Sequence, residues 1–337
     1  MKDDSVVLIE EYRGPLLENK HRGWVCVLDE NEQLLYHAGN PDHVTYMRSS
    51  AKPLQALAFF ALRLDEVYDL TDQEKTILSG SHQGGPYHVE ALESIARKMK
   101  IDEDALVLLP CYPADAGYRD QVVAAHIPPR KFYHNCAGKH LATIAMARFF
   151  GQPEDTYYQI GTPVQEYLAN FICELTGCPR KDLILGVDGC GVPVYGMSLR
   201  HMATAYSRLI QPEKIENETL REKVKMLDAC THAWPQYINK ENYVCTCMNE
   251  DGNIWAKGGA QGVYCFAIRD KKLAVSFKVE DGSEEEWQLV IWNILRQLGY
   301  ENSVAAHNMV KLRPFEIINA TGHAVGEYRP VFTLEKN

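Results

Sequence analysis

Extended segments lie at both ends of this chain of 337 residues, and helix-forming segments fill its middle. Six segments are short and rich in β-branched or apolar residues, as strands are. They are residues 6–9, 23–28, 33–37, 183–187, 264–268 and 273–278. The polar run at residues 29–32 has turn composition, so it predicts a hairpin between the strands on either side of it.

The helical segments are recognised by apolar residues that recur every three or four positions. They are residues 51–62, 88–100, 139–150, 162–176, 218–234 and 283–298. Ser49 or Ser50 is suited to cap the first of them. Strands at both ends around a helical middle favour an α+β fold with an antiparallel sheet over an alternating α/β fold. We expect a single domain over residues 1–337, with a helical insertion or a mobile lid at about residues 209–250.

The charge balance excludes several classes of partner. The net charge is −10, which disfavours binding to nucleic acid and to anionic membranes. No window approaches the ~20 uninterrupted apolar residues of a membrane helix.

The start of the chain and the cysteines bear on where the protein is located. Residues 1–4 lack the basic and apolar regions of a signal peptide, so we expect a cytoplasmic protein. The 10 cysteines are too sparse for a disulfide scaffold.

A serine and a lysine stand three residues apart at the start of the first predicted helix, in the segment RSSAKP at residues 48–53. Residues at this spacing share a helix face, so Lys52 can reach the Ser49 hydroxyl. A desolvated, neutral lysine can take the proton of a serine and activate it as a nucleophile. The alternative is a serine that caps the helix, followed by a solvated lysine.

Two later segments strengthen the catalytic interpretation. SGSHQGG at residues 79–85 places Ser81 and His82 in a glycine-rich turn, and Lys257 precedes two glycines at the end of a predicted strand. The order of Ser-x-x-Lys, serine turn and Lys-Gly-Gly parallels that of serine β-lactamases and penicillin-binding proteins. Two ordinary surface turns are the alternative for the later segments.

Two cysteines lie in glycine-containing turns, in HNCAGKH at residues 134–140 and DGCGVP at residues 188–193. Cys136 and Cys190, together with His134 or His140, could bind zinc. Cys136 could instead be a thiolate nucleophile beside His140, or a structural thiol. These three interpretations stay open on the residues alone.

The other cysteines carry less information about function. Cys26, Cys173 and Cys265 lie in apolar periodic runs and are expected to be core thiols. Cys245 and Cys247 are interpreted as a structural pair two positions apart on a strand, because no further ligands for a metal stand nearby in the sequence.

Taken together, six segments resemble the class 3 (Rhizobium-type, thermolabile-type) L-asparaginases. They are ENKHRG at 18–23, RSSAKPLQA at 48–56, SGSH at 79–82, HNCAGKH at 134–140, DGCGVP at 188–193 and KGGAQG at 257–262. The resemblance implies a fold akin to serine β-lactamases and glutaminases, hydrolysis of L-asparagine to L-aspartate and ammonia, and a zinc ion near the site. It also implies a homodimer.

The same resemblance assigns roles to individual residues. It pairs Ser49 with Lys52 and Ser81 with Lys257, and it makes Cys136, Lys139 and Cys190 the ligands of Zn²⁺. A lysine ligand must first lose its proton, which from an ordinary pKa of about 10.4 requires help from the metal or from burial.

The expected mechanism is an acyl-enzyme pathway for a small-molecule substrate. Ser49, deprotonated by Lys52, attacks the side-chain amide, while Ser81 and Lys257 relay protons or orient the first pair. Ser81 as the nucleophile is the alternative. Arg48 and Asp188 are suited to hold the α-carboxylate and the ammonium of the substrate. His82 and Asn135 are further candidate substrate-binding residues. The alternatives are a serine acyl-hydrolase of the β-lactamase or peptidase type, and a zinc-stabilised binding protein without catalysis.

Overall fold

The structure is a computed structural model that describes residues 4–337. Residues 1–3, on which the expectation about a signal peptide partly rests, lie outside this range. The chain divides into two compact units. Unit 1 holds residues 4–50, Met197–Gln211 and Asn242–Asn337, and unit 2 holds Ala51–Gly196 and Pro212–Glu241. The single domain with an insertion at about 209–250 stays a prediction.

The strands are named in chain order. They are β1 (Val6–Arg13), β2 (Leu16–Leu28), β3 (Leu34–Ala38), β4 (Val44–Tyr46), β5 (Ile184–Val187), β6 (Pro193–Ser198), β7 (Ile254–Gly258), β8 (Val263–Ile268), β9 (Leu273–Val279), β10 (Glu316–Ile318), β11 (Ala324–Pro330) and β12 (Glu335–Lys336).

The helices are named in the same way. They are α1 (Lys52–Ala61), α2 (Leu64–Val67), α3 (Asp72–Leu78), α4 (Pro86–Met99), α5 (Ala116–Ala124), α6 (Ala137–Phe149), α7 (Pro163–Thr176), α8 (Leu199–Ile210), α9 (Glu218–Ala233), α10 (Val244–Asn249), α11 (Trp287–Gln297) and α12 (Val304–Leu312). Within residues 4–337, no helix is both long and apolar enough to cross a membrane.

Unit 1 is built on an antiparallel sheet whose strand order is β10-β11-β1-β2-β9-β8-β7. β2 pairs with β9 in the register Gly23↔Val279, and it also pairs with β3, which confirms the predicted hairpin. A methyl group on Gly23 would lie 2.1 Å from the carbonyl oxygen of Lys278, so only glycine permits the two strands to approach this closely. The α+β class and the antiparallel sheet built from both ends of the chain are therefore confirmed.

Helix α8 packs against β2, β8 and β9 of this sheet. This helix was not predicted from the sequence, because strand β6 runs directly into it at Ser198 without a loop. The Ser198 hydroxyl caps the helix by accepting a hydrogen bond from the backbone N–H of His201. The interpretation of Cys245 and Cys247 as a strand pair is wrong, since both lie in helix α10.

Unit 2 is mainly helical, and α1 lies at its centre. All residues of α1 except Ala61 are buried, and the helix packs against α6, α7 and α9. The predicted cap by Ser49 or Ser50 is wrong: the capping residue is Ala51, which makes no side-chain cap hydrogen bond. The Ser50 hydroxyl instead donates to the carbonyl oxygen of Met47 at 2.5 Å.

A short antiparallel pair of strands presents the second cysteine turn of unit 2. β5 pairs with β6 in the register Ile184↔Gly196. The turn that joins them is closed by hydrogen bonds between the backbone groups of Asp188 and Val192 and of Gly191 and Asp188. This turn fixes the backbone on either side of Cys190.

Candidate active site

Lys52 is the first residue of α1 and is completely buried. Its ammonium nitrogen donates one hydrogen bond to the Ser81 hydroxyl and another to the carbonyl oxygen of Asn135, each at 2.9 Å. Charged lysines are rarely buried this completely unless they are paired. The position of Lys52 beside a serine hydroxyl therefore identifies a candidate catalytic pair.

Ser81 lies in the turn between α3 and α4, and this turn is held tightly. The backbone N–H of Ser81 donates to the carbonyl oxygen of Ile238 at 2.7 Å. A methyl group on Gly80 would lie 2.4 Å from the carbonyl oxygen of Tyr237, so the glycine permits the close approach of two backbone segments. The glycine-rich turn predicted from the sequence thus fixes the hydroxyl relative to Lys52.

His82 is completely buried next to this pair. Its Nδ1 accepts a hydrogen bond from the backbone N–H of Gly84 at 3.1 Å, whereas its Nε2 is buried without a partner in the described part of the chain. Burial holds the pKa of His82 well below its ordinary value, so the ring is neutral at pH 7. Because Nδ1 accepts, the proton of the neutral ring lies on Nε2, which leaves one buried donor available to a ligand.

The two cysteine turns meet in unit 2. Lys139, in the first turn of α6, donates a hydrogen bond to the Cys190 sulfur at 3.1 Å. The Asp188 carboxylate lies 3.7 Å from the Lys139 nitrogen and 3.8 Å from the Cys190 sulfur. Cys136, directly before α6, is buried and interacts with Cys190.

Cys136 and Lys139 each stabilise the charged form of the other. The hydrogen bond from Cys190, aided by the charges of Lys52 and Lys139, holds the pKa of the Cys136 thiol well below its ordinary value although burial acts against it. Burial alone would lower the pKa of Lys139, but the Cys136 thiolate, the neighbouring Cys190 and the Asp188 carboxylate raise it. The cluster is therefore a buried thiolate held by an ammonium group.

The donor set of this cluster fits a zinc ion. Two thiolates and one amine are ligands that zinc accepts, and four-coordination leaves one further position. The Lys139 ammonium and the Cys136 thiolate already lie in this cluster. Because the Lys139 nitrogen can bind a metal only without its extra proton, a bound metal ion would replace that proton. The two histidines considered as ligands have other contacts: His134 accepts a hydrogen bond from the Cys136 N–H, and Nδ1 of His140 lies 2.6 Å from the Tyr157 hydroxyl.

The remaining predicted residues belong to unit 1. Ser49 and Arg48 lie in the 3-10 turn that precedes α1, and Arg48 has a left-handed backbone with a φ of 52°. Lys257 is buried on β7 and donates to the carbonyl oxygen of Gly258 at 2.7 Å. The predicted pairs of Ser49 with Lys52 and of Ser81 with Lys257 each have one member in each unit, and both stay predictions.

Two contacts of the site were not predicted from the sequence. The carbonyl oxygen of Asn135, whose exposed side chain was the candidate substrate contact, accepts a hydrogen bond from Lys52. Asp188 was assigned to the substrate, and its carboxylate lies against Lys139. Its position two residues before Cys190 was the only available signal.

A family described as L-asparaginase II matches residues 9–330 of the chain. The protein is thus an enzyme of the class that hydrolyses amides of small molecules. The chain belongs to the L-asparaginase II family. No curated protein sequence matches it.

Several solved structures have a similar backbone. A β-lactamase from Mycobacterium bovis is 16% identical with a TM-score of 0.45, over 82% of this chain and 94% of that one. The octameric penicillin-binding protein homologue from Pyrococcus abyssi is 13% identical with a TM-score of 0.47, over 93% and 85% of the two chains. A Bacillus glutaminase is 12% identical with a TM-score of 0.40, over 83% and 92%.

Proposed function

We propose that this protein hydrolyses L-asparagine to L-aspartate and ammonia through a serine acyl-enzyme. Membership of the L-asparaginase II family supports the reaction type. The observation that carries the mechanism is the hydrogen bond between the buried Lys52 and Ser81, the serine assigned to relay protons to and from Lys52. A lysine within 2.9 Å of a serine hydroxyl is placed to exchange a proton with it once the amine is neutral.

In the proposed reaction, the Ser49 oxygen attacks the side-chain amide carbon while its proton passes to the neutral amine of Lys52. The C–N bond then breaks, and the proton leaves with the amide nitrogen as ammonia. A water molecule attacks the resulting ester, which returns a proton to Ser49 and releases L-aspartate. Ser81 and Lys257 relay protons in both halves of the reaction.

The substrate needs partners for its charged groups and for the oxygen that becomes negative. We assign the α-carboxylate to the Arg48 guanidinium and the ammonium to the Asp188 carboxylate, because each pair carries opposite charges. The Nε2–H of His82 is an unpaired buried donor of unit 2 next to Ser81, and it suits a substrate oxygen. The side chain of Asn135 is a further candidate contact.

The zinc site is part of the proposal. Cys136, Lys139 and Cys190 would hold Zn²⁺, which at such a site supplies structural support or polarisation of a bound oxygen. Full activity of the protein after verified removal of the metal would exclude a direct role in the reaction. The homodimer implied by the sequence resemblance stays a prediction, to be measured by light scattering.

The first experiment follows ammonia release from L-asparagine, L-glutamine and a blank. Release from L-asparagine well above the other two is expected. If folded, zinc-loaded protein releases no ammonia, the proposal is wrong. Hydrolysis of a chromogenic β-lactam would favour the alternative serine acyl-hydrolase, whereas no turnover of any acyl substrate would favour a binding protein.

Serine variants then test the mechanism. Ser49→Ala should lower turnover of L-asparagine by a factor of about 10³ or more, since removal of a nucleophile has effects of this size. Ser81→Ala should lower it by about 10² because a proton relay is lost. Ser79→Ala is the matched control, since this serine lies in the same turn but its hydroxyl donates to the carbonyl oxygen of Thr76. Near-normal turnover by Ser49→Ala would disprove its assignment as nucleophile.

A further inference from the structure

One segment of the sequence, ENKHRG at residues 18–23, has no role in the proposed reaction, and it contains His21. This histidine lies on β2 of unit 1, opposite β1 and close to the start of α11. One oxygen of Glu11, one ring nitrogen of His21 and one oxygen of Glu286 lie within 4.8 Å of one another. The side chains of the three residues are 15%, 16% and 2% exposed, so the cluster is largely shielded from water.

The spacing of these atoms suits a metal ion. His21 Nε2 lies 3.2 Å from Glu11 Oε1 and 3.8 Å from Glu286 Oε1. Two ligands that each lie about 2.1 Å from a tetrahedral ion are about 3.4 Å apart. The observed distances bracket this value, so an ion could bind all three atoms after small side-chain movements.

A fourth residue orients the histidine. Nδ1 of His21 lies 2.6 Å from Asp281 Oδ2. A carboxylate that accepts the N–H of one ring nitrogen directs the lone pair of the other nitrogen toward a metal, and such partners are typical of metal-bound histidines. Asn19 donates to Glu11 Oε2 at 2.9 Å, which orients that carboxylate as well.

The acidic side chains of the cluster favour a cation between them. With Nδ1–H donated to Asp281, the Nε2 lone pair faces two carboxylate oxygens. Arg313, which also pairs with Glu285, reaches only Glu286 among the acids of the cluster, at 3.1 Å. A second proton on His21 would form a hydrogen bond with Glu11 but would leave Glu286 at 3.8 Å. Glu286 Oε2 is buried and accepts no hydrogen bond within the described residues. An ion shared by all three ligands satisfies both carboxylates.

We propose that Glu11, His21 and Glu286 form a binding site for a divalent transition-metal ion, separate from the cysteine cluster of unit 2. One imidazole and two carboxylates favour ions such as Mn²⁺ or Zn²⁺ over Ca²⁺, which takes oxygen ligands only. The ion ties β1 and β2 to the N-terminus of α11, so its role is to stabilise unit 1.

The test uses Mn²⁺ as the probe, because thiolate sites prefer softer ions and the cysteine cluster therefore competes weakly. Chelator-treated full-length protein is titrated with Mn²⁺, and free Mn²⁺ is measured by electron paramagnetic resonance. We expect one tightly bound ion per chain, with nitrogen hyperfine coupling from the His21 ring in the pulsed spectrum. His21→Asn should abolish that coupling, and Glu11→Gln should weaken binding by at least tenfold.

Glu285→Gln is the matched control, because this neighbouring carboxylate is 80% exposed and lies outside the cluster. It should bind Mn²⁺ as the unaltered protein does. Asp281→Asn should weaken binding by about tenfold, as the loss of an outer-shell partner does. Glu11 is only partly buried, so Glu11→Gln keeps the test valid if variants of Glu286 fail to fold. Absence of bound Mn²⁺, or unchanged binding in Glu11→Gln or unchanged nitrogen coupling in His21→Asn, would overturn the proposal.

Discussion

The cysteine cluster of unit 2 and the acidic cluster of unit 1 both gather groups that bind metals, but they balance charge differently. In unit 2, the Lys139 ammonium lies directly against the Cys190 sulfur. In unit 1, Glu11, Asp281 and Glu286 surround a single histidine, and the guanidinium of Arg313 reaches only one of them. The first cluster therefore supplies its own cation, whereas the second has too few.

This difference predicts how the stability of each unit changes when one charged side chain of its cluster is removed. Removal of a cation from a balanced buried group leaves an uncompensated charge, which is strongly destabilising. Removal of an acid from a group with excess negative charge relieves repulsion instead. Variants of both clusters can therefore be compared directly.

The largest effect is expected for Lys52→Met, which removes the amine that unit 2 places beside Ser81. Turnover of L-asparagine should fall by a factor of about 10³ or more because the proposed general base is lost. Lys98→Met is the control, since this lysine of unit 2 pairs with Glu74 and is partly exposed. Steady-state ammonia release measures both variants, and equal activity would remove Lys52 from the mechanism.

A smaller effect is expected for Lys139→Met in metal-free protein. The buried thiolate would lose its ammonium partner, so the free energy of unfolding should fall by about 2–4 kcal/mol. Lys225→Met, at an exposed position of α9, should change it by less than about 0.5 kcal/mol. Urea unfolding in the presence of a chelator gives both values. If Lys139→Met is as stable as its control, the Lys139 ammonium does not compensate the charge of a buried thiolate in the cysteine cluster.

Low pH should lower the free energy of unfolding because of the buried histidines of unit 2. Burial lowers the pKa of His88 to about 4, and it also holds the pKa values of His82 and His140 well below the ordinary value. The unfolded chain therefore binds protons first as the pH falls below about 6.5, and each histidine costs about 1.4 kcal/mol of stability per pH unit down to its folded-state pKa. The contribution of these neutral histidines to the free energy of unfolding is therefore fully present above about pH 6.5 and is lost as the pH falls below it.

The measurement is the free energy of unfolding between pH 7.5 and 4.5. His88→Gln should show a shallower decline than the unaltered protein, by the contribution of one proton. His307→Gln, at an exposed position of α12, should leave the slope unchanged. An identical slope for His88→Gln would show that His88 does not stay neutral in the folded protein.

The smallest change in stability is expected for Glu11→Gln in metal-free protein. Loss of one acid from the crowded cluster should change the free energy of unfolding by no more than about 0.5 kcal/mol, in the stabilising direction. Saturating Mn²⁺ should stabilise the unaltered protein more than the variant, because ligands that bind only the folded state stabilise it. A large loss of stability in metal-free Glu11→Gln would contradict the comparison.

Four of the long helices could be predicted from the sequence because each contains its own periodic pattern. Helices α4, α6, α7 and α9 each extend over several turns and were placed within two residues at each end. The six-residue α10 is too short to show a helical period, and the β-branched Val244 and Thr246 favoured a strand. Tertiary packing overrides local preference in such short segments.

The candidate site could be predicted only in part. The motifs identified Ser81 and Lys52, but the hydrogen bond between them joins residues that are distant in the chain. The cluster of Glu11, His21 and Glu286 was not predicted at all, since Glu286 reaches the other two only through the pairing of β2 with β9. Neither contact leaves a local pattern in the sequence.

The strand order of unit 1 has a consequence for synthesis on the ribosome. β1 and β2 are synthesised before their partners β11 and β9, which lie far later in the chain. Until those partners are made, the nascent hairpin exposes unpaired strand edges, which are prone to aggregate. Chaperones that shield extended apolar segments should therefore bind the N-terminal hairpin while the later strands are still being translated, and release it once β9 and β11 have emerged.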